Sequence, residues 1–71
     1  MEWRELSSSV IARVAYDDTA RTLTIDFTSG SVYEYFHVPQ SIYEGLIEAP
    51  SAGNYFAENI RDVYRFERLT P

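Results

Sequence analysis

The sequence contains no cysteine and no lysine, one histidine, and only three glycines and three prolines among 71 residues. Without cysteine there is no disulfide, no zinc–thiolate site and no thiol nucleophile. Without lysine there is no Walker loop, and Gly30, Gly45 and Gly53 stand too far apart to cradle a phosphate. The lone His37 would have to serve any Ser-His-Asp arrangement, and no Gly-x-Ser-x-Gly elbow accompanies it. Asp17, Asp18, Asp26 and His37 follow no zinc or EF-hand spacing. No run approaches the ~18 apolar residues of a membrane helix. Met1 to Leu6, with Glu2, Arg4 and Glu5, lacks the apolar stretch of a signal peptide. These absences lead to the expectation of a non-catalytic, cytoplasmic domain with no metal, no cofactor and no membrane contact.

What the sequence does have is aromatic bulk: six Tyr, four Phe and one Trp. A chain of this length forms one domain, 1–71, and buries only about 60% of the surface its unfolded form exposes. Large aromatic side chains supply the core that such a small domain otherwise lacks. The net charge is −5, with eleven acidic residues against six arginines. That balance disfavours non-specific nucleic-acid binding, which draws on phosphate neutralisation. Arginine nevertheless suits local bidentate or stacked recognition.

Along the chain, Met1 to Leu6 fits either an edge strand or a helical turn, and Ser7-Ser8-Ser9 breaks the pattern. Val10 to Tyr16 is rich in β-branched and aromatic residues and ends at the turn-favouring Asp17-Asp18. Ile11 and Val14 are out of strict alternation, which suggests an irregular strand. In Thr22 to Thr28, Leu23, Ile25 and Phe27 alternate with polar residues, the signature of a strand with one apolar face. A turn at Gly30 leads into Ser31 to Val38, with Tyr33, Tyr35 and His37 on one face and Val32, Phe36 and Val38 on the other. From Pro39 the period changes. Ile42, Tyr43, Leu46 and Ile47 recur at helical spacing until Ala49-Pro50, with Gly45 weakening that helix by about 1 kcal/mol. Ser51 caps a second helix whose apolar stripe is Phe56, Ile60, Val63 and Tyr64. Residues 65–69 fit either a continuation of that helix or a last short strand. The expected fold is α+β: an antiparallel β-meander of three to four strands, with Tyr33 and Tyr35 near its centre, followed by two helices packed on one face.

The chain resembles the KTSC domain, a short module named for the C-terminus of some lysyl-tRNA synthetases and also found alone in bacterial proteins. The likeness is carried by Ser8-Ser9 with Ile11, Val14-Ala15-Tyr16-Asp17, Leu23, Phe27 and Gly30, and by the Tyr33-Glu34-Tyr35 centre. It continues through Val38-Pro39, Tyr43, Leu46, Ala49, Ser51, Gly53, Tyr55-Phe56, Ile60-Arg61 and Tyr64. Ala15 and Ala57 stand where the family tends to have Gly and Asn. The resemblance implies the fold and no established activity; its synthetase context suggests RNA binding.

Two binding readings follow. Single-stranded RNA is commonly held by aromatics on a sheet face with arginines at the phosphates. On that reading the candidate residues are Tyr33, Tyr35, Arg61, Arg65 and Arg68, with Tyr16 beside the tyrosines and the arginines along one side of the second helix. The alternative is a protein-interaction module, a monomer or a weak homodimer, since Tyr and Arg also suit interfaces and an edge strand at Met1–Leu6 could pair. Core tyrosines and solvated arginines, diluted by Glu58, Asp62 and Glu67, would favour neither.

Overall fold

The computed structural model describes residues 2–71, so Met1 lies outside the description. Five strands and two helices follow one another as β1 (Trp3–Glu5), β2 (Ile11–Asp17), β3 (Thr22–Phe27), β4 (Val32–Tyr35), α1 (Gln40–Glu48), α2 (Ala52–Asn59) and β5 (Phe66–Arg68). The strands form one antiparallel sheet in the order β1-β2-β3-β4-β5. The α+β meander with two helices on one face therefore stands. The strand count rises to five, because both short ambiguous segments are edge strands and residues 66–68 pair with β4.

Local chemistry makes the turns. The carboxylate of Asp17 accepts from the amides of Thr19 and Ala20 at 3.0 and 3.1 Å, closing the β2–β3 connection. Gly30 adopts φ +98° between β3 and β4, a backbone region open to glycine. Ser8 accepts from the amides of Val10 and Ile11, so this serine shapes the entry to β2. The irregularity in β2 is a bulge: Ile11 pairs with Phe27 but Arg13 pairs with Asp26. The extra residue puts Ile11 and Val14 on the same buried face despite their odd spacing.

Register then separates the two faces. Val14, Ile25 and Tyr33 lie in one cross-strand row, and Tyr16, Leu23, Tyr35 and Phe66 in the next. These rows face the helices, and Leu46, Ala52, Phe56 and Ile60 complete the core over them. The opposite face carries the row Ala15, Thr24, Glu34 and Glu67. On that face Arg13 lies 4.2 Å from the centre of the Trp3 ring and holds Asp26 at 3.0 Å.

Two boundaries differ from the sequence reading. The run expected through Val38 ends at Tyr35, because His37 takes φ +58° and reverses the chain. Val38 consequently turns into the core with Tyr35, and His37 is exposed. The second helix stops at Asn59, whose carboxamide donates to the Tyr55 carbonyl, and Ile60 leaves helical geometry at φ −126°. Phe56 and Ile60 are core, but Val63 is 61% exposed. Tyr64 packs half-buried against the core, so three of the four expected stripe residues contribute and only Val63 does not.

Candidate functional site

The helices cover the sheet only as far as Phe56. Beyond it, the helix-facing surface of β3, β4 and β5 lies open as a groove of about 520 Å³ lined by Phe27, Tyr33, Tyr35, Phe56 and Phe66, with Thr28, Ser31, Arg61 and Asp62 among its polar residues. The aromatic rings are coupled. Phe27 meets Tyr33 edge-on at 5.7 Å and Phe56 at 5.2 Å, while Phe66 tilts against Tyr33 and Tyr35, each at 5.6 Å. Tyr33 and Tyr35 stack in offset fashion at 6.4 Å. Such pairs prefer these offset and edge arrangements, so each ring fixes its neighbour.

The groove grades from dry to wet. Tyr35 is 3% exposed at its inner end, Tyr33 is half-buried, and Phe66 at the outer end is 55% exposed. Burial, reinforced by the neighbouring Tyr33 hydroxyl and opposed by Arg61, pushes the Tyr35 phenol up to about 12. It is therefore a neutral hydroxyl at physiological pH.

Two guanidinium groups flank the rings. Arg68 sits 5.9 Å from the Tyr33 ring centre, held there by a 3.1 Å hydrogen bond from its Nη2 to Ser31 Oγ. Arg61 sits 5.8 Å from the Phe56 ring centre on the other side. Both lie within cation–π range. Asp62 follows Arg61 in the same wall and offsets part of its charge.

Four of the five sequence candidates thus meet at one place: Tyr33 and Tyr35 on β4, Arg68 on β5 and Arg61 in the turn after α2. Arg65 does not join them. It is exposed, its carbonyl accepts from the Phe36 amide, and it lies one residue before Phe66, on the alternate side of the pleat. The arginines do not run along a helix, because the helix ends before all of them. Tyr16 is also elsewhere: β3 separates it from Tyr35, its ring stacks on Tyr43 at 4.9 Å, and its hydroxyl donates to the Val38 carbonyl.

Sequence reasoning missed Phe27, Phe56 and Phe66 as groove residues. Phe27 and Phe56 carried ordinary core signals, and Phe66 fell in the segment whose structure was open. Ala57, where the family tends to have Asn, is exposed on α2. Among the described residues, no three His, Asp or Glu side chains come together as metal ligands. Among the described residues, no helix is long and apolar enough to cross a membrane.

Comparison with known proteins gives one family. The KTSC domain matches residues 7–64. A lysine–tRNA ligase of Nostoc punctiforme is 50% identical over 62 residues, which are 87% of this chain but 11% of the ligase. The chain therefore spans about a tenth of the length of the ligases it matches. An uncharacterised protein of Stutzerimonas stutzeri is 34% identical over 65 residues, 90% of this chain and 92% of that protein. The crystal structure of a KTSC domain protein from Yersinia pestis superimposes with a TM-score of 0.93 at 28% identity, covering 97% of both chains. With sequence and fold matching together over most of its length, this chain belongs to the KTSC family, small α+β domains found within lysine–tRNA ligases and as stand-alone proteins.

Proposed function

We propose that this domain is a non-catalytic binding module whose aromatic groove takes single-stranded RNA. The observation that carries the reading is the meeting of half-exposed rings, Tyr33 and Phe66, with Arg61 in the groove wall and Arg68 against the Tyr33 ring at its edge. Bases stack on aromatic faces whatever their sequence, and guanidinium groups serve phosphates or stack themselves. The likeness to part of a lysine–tRNA ligase supports RNA over DNA as the ligand class.

The net charge of −5 limits the electrostatic contribution to the local arginines. With two phosphates neutralised, log K should fall against log salt with a slope of about −1.4 for a single strand. The test is fluorescence anisotropy with a single-stranded RNA of about eight nucleotides. Arg61→Ala and Arg68→Ala should each flatten the slope by about half. Tyr33→Ala, removing a stacking face, should weaken binding about ten- to a hundredfold. No binding at low salt across varied RNA sequences would end this reading.

Exposed Val63, Phe66 and Leu69, at 61%, 55% and 50%, favour a protein contact as the second reading. That reading is recognised by an affinity that changes little with salt.

A further inference from the structure

Tyr35 is 3% exposed, and a tyrosine buried this far ordinarily has a partner for its hydroxyl. Among the described residues, Tyr16 is the one tyrosine whose hydroxyl makes a hydrogen bond, to the Val38 carbonyl. The Tyr35 hydroxyl makes none. Among the same residues no fully enclosed side-chain nitrogen or oxygen lacks a partner, so this hydroxyl touches solvent, at the groove its residue lines. The neighbouring wall carries Asp62. The one ion pair among the described residues is Arg13–Asp26, which leaves the Asp62 carboxylate without a cation in contact. Hydroxyl and carboxylate lie within each other's field. After burial and Tyr33, which raise the Tyr35 pKa most, Arg61 lowers it and Asp62 raises it.

A carboxylate in a groove for RNA repels phosphate, so a strand settles with its backbone toward the arginines and its base edges toward Asp62. The carboxylate only accepts hydrogen bonds, on two oxygens, and the neutral Tyr35 phenol has one to give. Together they present one donor and two acceptors, the set that cytosine offers guanine in a base pair. Bases of single strands are read on these same edges. Guanine answers in full, with O6 as acceptor and N1–H and the 2-amino group as adjacent donors. Adenine and cytosine bring the carboxylate a single amino group, and uracil a single N–H between two carbonyls. Guanine alone makes all three bonds.

We propose that Asp62 and the Tyr35 hydroxyl select guanine in the strand that the groove takes. N1–H and the 2-amino group donate to Asp62, and O6 accepts from Tyr35. The base lies on Tyr33 and Phe66, while Arg61 and Arg68 keep the phosphates. This selection rests on the reading of the groove as an RNA site and adds a base preference to it.

The test is fluorescence anisotropy at low salt with oligouridines of about eight nucleotides, unaltered or carrying one central guanosine, inosine, adenosine or cytidine. The guanosine strand should bind about tenfold or more tighter than the all-uridine strand. Inosine, which lacks the 2-amino group, should lose most of that gain. Asp62→Asn removes one of the two acceptors and should bring the guanosine strand to within about threefold of the uridine strand. The same variant should bind the uridine strand as tightly as the unaltered chain or more so, because a charge that repels phosphate is gone. Tyr35→Phe should reduce the guanosine preference by about fivefold. Equal binding of all the strands by the unaltered chain overturns the selection and leaves the RNA reading standing. A guanosine preference that survives Asp62→Asn does the same. No binding of any strand overturns both.

Discussion

Tyr33 and Tyr35 stand two residues apart on one strand face, yet the first keeps contact with solvent and the second is enclosed. Period-two alternation puts both on the helix-facing side but says nothing of where the helical layer ends. That depends on Phe56, which covers Tyr35 at 5.6 Å and leaves Tyr33 to Phe27 and Phe66. The difference has a titration consequence. The Tyr35 phenol is pushed up to about 12, chiefly by burial, above its ordinary value of 10.0. Below about pH 10 both folded and unfolded chains hold the proton, and the full stability is present. As pH rises further the unfolded chain releases its proton first, so stability falls until the folded phenol ionises as well near 12. Urea denaturation between about pH 9 and pH 12 should show this loss, and Tyr35→Phe should shrink it. Tyr16 and Tyr55, also raised by burial, account for a remaining slope. An identical slope in Tyr35→Phe would contradict the burial assignment.

At the scale of elements, Gly45 reverses its apparent meaning. Inside a helix glycine is a weakness, and alanine would ordinarily improve it by about 1 kcal/mol. Here α2 lies against that position, and a Cβ on Gly45 would come within 2.6 Å of the Tyr55 ring carbon Cζ. Gly45→Ala should therefore destabilise the domain by about 1–3 kcal/mol. The cost should shrink when combined with Tyr55→Ala, as a double-mutant cycle by chemical denaturation would show. A stabilising Gly45→Ala would mean that Tyr55 moves aside freely. The helices were legible because their punctuation is local: Pro39, Ala49-Pro50, and Ser51, whose hydroxyl accepts from the Asn54 amide at 3.3 Å. The central strands were legible from alternation and turn residues. The end of α2 was not, because Ile60, Val63 and Tyr64 continue the helical spacing while the chain has already left the helix. Nor were β1 and β5, three exposed residues each, whose strand character comes only from the neighbour they pair with.

Across the whole molecule the sheet is sequential in order, but β4 meets β5 only after the chain has passed through both helices. That return strand builds the candidate site. It brings Phe66 and Arg68 to Tyr33, and the preceding turn brings Arg61 to Phe56. The candidate residues were thus legible as residue types, while their meeting place was not. It depends on a pairing between positions 33–35 and 66–68 that no local pattern announces. An acidic molecule with net charge −5 gives RNA no long-range attraction, so binding should be localised to this one groove. The direct measurement is an NMR titration of the labelled chain with single-stranded RNA at low salt. RNA in the groove predicts concentrated shifts at Phe27, Tyr33, Arg61, Phe66 and Arg68, with the Tyr16–Tyr43 stack undisturbed. No shifts, or shifts confined to α1 or to the Glu34–Glu67 face, would contradict it.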